Sequence, residues 1–342
     1  MNLILFKIKK YSLALLLGAT AAGMVSCNKW TEAEPLKIAS PDIEEQNPAL
    51  YAKYLEDLRA YKTSPHTINM GWFNNNKKTP SSQGDHFSKV PDSLDYIVLE
   101  SPVDLVDREV GEMNDLLNKK GSKVIFEIDF NQIKTAYAKK ENNTVTFQNF
   151  LTDTVSSILL AVDKFPYQGL VLSYMGKEQM HLTPEEKEQL EAEENLFFQI
   201  INPWLTKNTG KSLFFKGSPQ NLINKDILKR ASYIVLPTEN AVDTGGLSYT
   251  LLSATVDGIP TDKFIVLASM TSYKADEAKL GYFQNGSRSS IATARWAAAV
   301  QNSIHIAGIG YKNLAYDYFN VLKSYQYSRE AIQITNPAIK VK

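Results

Sequence analysis

The chain has 342 residues, with 37 lysines and arginines against 37 aspartates and glutamates, 44% hydrophobic content and one cysteine. The even charge balance argues against nucleic acid, which needs a basic patch. One cysteine excludes an internal disulfide, and the apolar and aromatic content is that of an ordinary globular core.

The chain opens as an export signal. Lys7, Lys9 and Lys10 precede an apolar stretch from Ser12 to Gly23, which is too short for a membrane span. It ends in Met24-Val25-Ser26-Cys27, which resembles the bacterial lipoprotein cleavage box. Residues 1–26 are therefore expected to be a signal peptide and Cys27 the site of lipid attachment. Cleavage removes three lysines and no acid, which leaves 34 basic against 37 acidic residues, a net charge of −3. Residues 27–46 are polar, acidic and broken by Pro35 and Pro41, and read as a tether.

From residue 47 to 342 a single domain is expected. Leu50, Tyr51, Tyr54, Leu55, Leu58 and Tyr61 recur at helical spacing. Eight short apolar runs follow: Thr67–Phe73, Tyr96–Glu100, Val124–Phe130, Gly169–Met175, Leu213–Lys216, Tyr233–Leu236, Phe264–Met270 and His305–Ile309. Helical patterns separate most of them, at Val106–Asn118, Phe147–Val162, Pro184–Leu205, Leu247–Val256 and Ser290–Ser303. Pro203 is a point at which the third of these would kink or end. Strands alternating with helices imply a parallel sheet, and eight such units in about 300 residues imply an α/β fold of the (β/α)8 barrel kind.

In such a barrel the site lies at the C-terminal ends of the strands. Those ends carry Trp72, Phe73, Glu100, Asp129, Ser173, Met175, Lys216, Glu239, Asn240, Met270 and Tyr311. Aromatic rings and polar groups on one rim can hold a sugar. Trp72, Phe73, Glu100, Asp129, Ser173, Met175, Glu239, Asn240 and Tyr311 are thus the candidate glycan contacts. Two of them have plainer readings, Trp72 as core and Glu100 as a rim ion pair.

Tyr167-Gln168-Gly169-Leu170-Val171-Leu172-Ser173-Tyr174-Met175-Gly176 resembles the fourth barrel strand of glycoside hydrolase family 18. That family carries Asp-Gly-x-Asp-x-Asp-x-Glu there. Here Gln168, Val171, Ser173 and Met175 stand at the acid positions. Leu58-Arg59-Ala60-Tyr61-Lys62-Thr63-Ser64-Pro65-His66, leading into Gly71-Trp72-Phe73, resembles the first helix and strand of lipoprotein members. Trp30-Thr31-Glu32 resembles their tethers, and Gly308-Ile309-Gly310-Tyr311 with Tyr316-Asp317-Tyr318 resembles their eighth strand and its turn.

The resemblance implies beta-linked N-acetylglucosamine as ligand class, in chitin or N-glycans. Family members use a terminal glutamate as acid and an aspartate to orient the substrate acetamido group. Strand alternation puts Val171, Ser173 and Met175 on one face, and a thioether donates no proton. No catalytic residue is therefore expected, and the chain reads as a non-catalytic glycan-binding lipoprotein of the outer membrane and cell surface. It would act with other glycan-uptake proteins and without nucleic acid.

Two alternatives stay open. One is an active endo-beta-N-acetylglucosaminidase with an acid relocated to Glu178, Glu100 or Asp129. The other is a structural or assembly lipoprotein. Gly210-Lys211-Ser212 lacks the earlier glycine of a phosphate loop, since position 205 is Leu205. No Gly-x-Ser-x-Gly elbow occurs. His66, His86, His181 and His305 lack metal-ligand spacing, so neither metal nor cofactor is expected.

Overall fold

The computed structural model describes residues 43–140 and 144–337. The expected signal peptide, Cys27 and most of the tether lie outside the described residues. The last four tether residues, Ile43–Gln46, form one turn of helix.

Eight strands close into a barrel with all neighbours parallel: β1 Ile68–Phe73, β2 Tyr96–Leu99, β3 Lys123–Asp129, β4 Gly169–Tyr174, β5 Ser212–Gly217, β6 Tyr233–Leu236, β7 Phe264–Ser269 and β8 Gly308–Lys312. The (β/α)8 expectation holds. Helices α1 Pro48–Thr63, α2 Asp107–Asp115, α3 Phe130–Ala138, α4 Phe147–Val162, α5 Pro184–Lys207, α6 Asp226–Arg230, α7 Thr244–Ser253, α8 Ser289–Ala297 and α9 Gln326–Thr335 alternate with the strands.

Two boundaries differ from the sequence reading in ways that matter. β8 lies three residues later than the apolar run His305–Ile309, because its inner face is glycine and lysine rather than apolar. Phe130 opens a helix instead of ending β3. Asp129 is its N-cap, with Oδ1 accepting from the Gln132 backbone N–H at 2.9 Å, an arrangement that satisfies an otherwise orphaned donor.

Helix starts follow the same local chemistry. Thr183 and Glu186 form a reciprocal capping box ahead of Pro184. α5 then buries Leu190, Phe197, Ile201 and Trp204, the last three within the core between helices and barrel. Pro203 does not end it. The proline sits within the last turn and a half, and the helix continues to Lys207.

Alternation along the strands sorts the core into two. Leu170, Leu172 and Tyr174 of β4 face the helices with Phe73, Phe126 and Tyr311. Met70, Trp72, Val98, Ile125, Val171, Val235, Ile265 and Leu267 fill the barrel interior. At its N-terminal end Phe214 packs edge-on to Tyr96 at 4.8 Å and stacks on Tyr233 at 5.4 Å. Gly310 leaves the space that the Trp72 indole fills, since a Cβ there would stand 2.8 Å from the ring and 2.5 Å from Leu267.

Candidate functional site

The C-terminal end of the interior is polar. Glu127 and Asp129 of β3 alternate inward with Ile125, while Val124, Phe126 and Ile128 point out. Opposite them in register stand Val171 and Ser173 of β4, and beside Ser173 stands Lys216 of β5. Glu127 is the hub. Its Oε1 accepts from Lys216 Nζ at 2.6 Å and its Oε2 from Trp72 Nε1 at 2.5 Å. Asp129 Oδ2 accepts from Ser173 Oγ at 3.0 Å and lies 3.9 Å from Lys216 Nζ. Lys312, closing β8, lies 4.8 Å over the Trp72 ring and 3.7 Å from Glu100.

The electrostatics are set by burial against pairing. Burial works to raise the Glu127 pKa, but the charges of Lys216 and Lys312 and the hydrogen bonds from Lys216 and Trp72 hold it below the usual carboxylate range. Burial likewise tends to lower Lys216, and Glu127, Asp129 and Glu239 together keep it above the ordinary lysine value. Glu127 is thus ionised at neutral pH and accepts two hydrogen bonds, the wrong state for a general acid.

A cleft of about 570 Å³ opens over this floor, lined by residues that include Asn76, Glu100, Asp104, Glu127, Asp129 and Lys312. It is within the range of small-ligand sites. A larger hollow of about 1010 Å³ lies outside the barrel along α4. It shares Val103, Asp104 and Ile158 with the cleft but contains none of the mouth's charged floor.

Of the nine candidate contacts, the structure brings Glu100 and Asp129 into the cleft. Ser173 is 2% exposed and serves Asp129. Met175 follows β4 half-buried, its backbone held by Asn131 and Asn221. Glu239, on the loop after β6, has a buried Oε2 with no hydrogen-bond partner among the described residues, and Asn240 is exposed.

Three expectations need correction. Trp72 is wholly buried inside the barrel, with Lys312 covering its ring, so it is core and not a stacking platform. Phe73 faces the helices and packs on Phe87. Tyr311 lies within β8, as the resemblance of Gly308–Tyr311 implied, but points outward away from the mouth and donates to Asn69 Oδ1 at 2.8 Å. Glu178, a candidate relocated acid, is exposed on the loop after β4. Gln168 lies just before β4, at the opposite end from the mouth, and its amide donates to Pro166 O.

Glu127 and Lys312 are not among the candidates that the sequence offers. Alternation along Lys123–Asp129 marks Glu127 as an inward acid between apolar neighbours, so that signal was present. Lys312 was hidden by the early end given to β8. The exposed aromatics of the same end are not among those candidates either. Tyr273, on the loop after β7, is 56% exposed and meets Phe319, on the loop after β8, at 4.8 Å between ring centroids and Tyr316 at 5.5 Å.

Comparisons with known proteins agree with this architecture. BT1044 carrying selenomethionine and a glutamate-to-glutamine substitution superposes with a TM-score of 0.64 at 18% identity, over 87% of this chain and 96% of its own. The endo-beta-N-acetylglucosaminidase from Cordyceps militaris gives 0.59 at 18% identity, over 83% and 96%. Human YKL-39, described as a pseudo-chitinase with retained chitooligosaccharide binding properties, gives 0.51 at 11% identity, over 79% and 98%. Likeness at such identities speaks for the fold alone. No curated protein matches the chain. Residues 31–334 match the family described as glycoside hydrolase family 18, BT1044-like, and the chain belongs to that family.

Proposed function

We propose that this protein is a non-catalytic glycan-binding lipoprotein of the cell surface that takes N-acetylglucosamine-containing glycans in the barrel mouth. One observation carries the reading. The inner face of β4 presents Val171 and Ser173, followed by Met175, with no carboxylate; of the two acids opposite, Glu127 is held ionised by Lys216 and Trp72, and Asp129 caps α3 and accepts from Ser173. Loss of a general acid alone costs about 10²–10⁴-fold in rate.

The cleft, its acids and the exposed Tyr273 and Phe319 rings supply acceptors and apolar faces for a pyranose. The Cordyceps militaris enzyme, as a double mutant, is described in complex with fucosyl-N-acetylglucosamine-Asn, and human YKL-39 as a pseudo-chitinase that retains chitooligosaccharide binding. Anchoring through Cys27 and surface exposure belong to the same proposal and rest on the sequence of residues 1–27.

The test is a glycan array with calorimetry, alongside incubation with high-mannose and complex N-glycoproteins at high protein loading. Binding without glycan release is the expected result. Release that disappears on Glu178→Gln, Glu100→Gln or Asp129→Asn would replace this reading with an active hydrolase. Absence of both binding and release would leave a structural role. For the anchor, Cys27→Ala is expected to lose palmitate labelling and detergent-phase partitioning.

A further inference from the structure

Two lysines enter the barrel mouth, and only one is occupied. Lys216 donates to Glu127 at 2.6 Å. Lys312 has a side chain only 21% exposed, and its ammonium makes no hydrogen bond among the described residues. Its nearest carboxylate, Glu100, is 3.7 Å away, beyond hydrogen-bonding distance. The ammonium is fixed 4.8 Å over the fully buried Trp72 ring and lines the cleft. A lysine carries three donors and no acceptor, so this side chain presents unfilled donors to a cavity of ligand size.

The chemistry of what it takes follows from its surroundings. Among the described residues, Glu100, Asp104, Glu127 and Asp129 line the same cleft with Lys312, and Lys216 at the floor is taken up by Glu127, so the acids outnumber the two cations. An anionic sugar would meet that excess of acids. Hydroxyl groups both donate and accept and can be served by the carboxylates, whereas an amide carbonyl only accepts and needs a donor.

We propose that Lys312 is a ligand-binding residue that donates to the amide carbonyl oxygen of an N-acetylated sugar seated in the mouth. This rests on the glycan-binding reading above and assigns a residue and a ligand atom within it. Burial lowers the pKa of Lys312. Glu127, Glu100 and Glu239 oppose the shift and Lys216 adds to it. Affinity should therefore decline on raising the pH before the ordinary lysine range is reached.

The test uses calorimetry on the full chain with two neutral probes of equal length, the tetramer of N-acetylglucosamine and the tetramer of glucose. Lys312→Met and Lys312→Arg are compared with the wild type. Lys312→Met keeps the packing over Trp72, removes the charge and is expected to leave the melting temperature unlowered. It should weaken binding of the N-acetylated tetramer by about tenfold, to the level of the glucose tetramer, and remove the alkaline decline. Lys312→Arg should retain most of the affinity.

Equal affinity of wild type and Lys312→Met for the N-acetylated tetramer would overturn the assignment while leaving glycan binding intact. Wild-type preference for the glucose tetramer would overturn the choice of ligand atom. Binding on a glycan array with none to either tetramer would overturn this inference alone, and no binding to the tetramers or on the array would overturn it together with the function it rests on.

Discussion

β3 and β4 are neighbours in register, with Glu127 opposite Val171 and Asp129 opposite Ser173, yet their inner faces differ in kind. β3 carries two carboxylates, and both are committed. Glu127 is held by Lys216 and Trp72, and Asp129 caps α3 and accepts from Ser173. β4 carries a valine and a hydroxyl that serves its neighbour. The number of acids in a barrel mouth is thus a poor measure of hydrolytic capacity. What counts is whether an acid is protonated and free to reach a leaving oxygen, and Glu127 is neither.

The largest effects are expected at the groups that restrain Glu127. Trp72→Ala should cost about 3–5 kcal/mol in urea denaturation, the usual range for a large buried ring. This follows from its complete burial and its bond to Glu127. A loss of sugar affinity at unchanged stability would instead make the ring a binding surface.

Glu127→Leu leaves Lys216 buried without its close partner and should cost about 3–5 kcal/mol. Adding Lys216→Met should restore most of the loss, because the cost lies in the isolated charge. Additive losses in the double variant would show that the pair is not coupled.

Acid titration should separate the paired from the unpaired floor. The folded-state pKa of Glu127 lies below its unfolded value. Its stabilising contribution is therefore complete above the unfolded value and is lost as the pH falls through the folded one. A Glu127→Leu/Lys216→Met chain, which lacks this term, should lose less melting temperature than the wild type between pH 5 and pH 3 (about the range that spans an ordinary glutamate pKa). Parallel curves would count against the pairing.

On the β4 side the effects shrink. Ser173→Ala removes one of three interactions at Asp129 and should cost about 0.5–1.5 kcal/mol. Met175→Glu should produce no glycan release from N-glycoproteins. An acid at that position still lacks a neighbour on β4 to orient an acetamido group, and such groups act as a unit. Robust release from Met175→Glu alone would mean that β3 already supplies the missing partner.

Much of this was legible beforehand. The eight strands and the long helices follow from two competing hydrophobic periods, and the inward set of β4 from simple alternation. Other parts were not legible, for physical reasons. β8 has glycines on its inner face, since the Trp72 indole of the neighbouring strand β1 already fills that space. The apolar run therefore ends short of Lys312, and only the resemblance of Gly308–Tyr311 to an eighth strand puts Tyr311 within β8. The depth of Trp72 depends on the missing Cβ at Gly310, a relation between residues 238 positions apart that no local pattern records.

Closure of the ring has a consequence for how the molecule opens. β1 pairs with β8 as well as with β2, so every strand is bonded along both sides and none is an edge. No strand can detach without rupturing two ladders, and the first and last strands are locked as firmly as the middle ones. Deuterium should therefore enter the strand amides of β1 and β8 at the same slow, globally limited rate as those of β4, with no peripheral strand to act as a starting point for fraying.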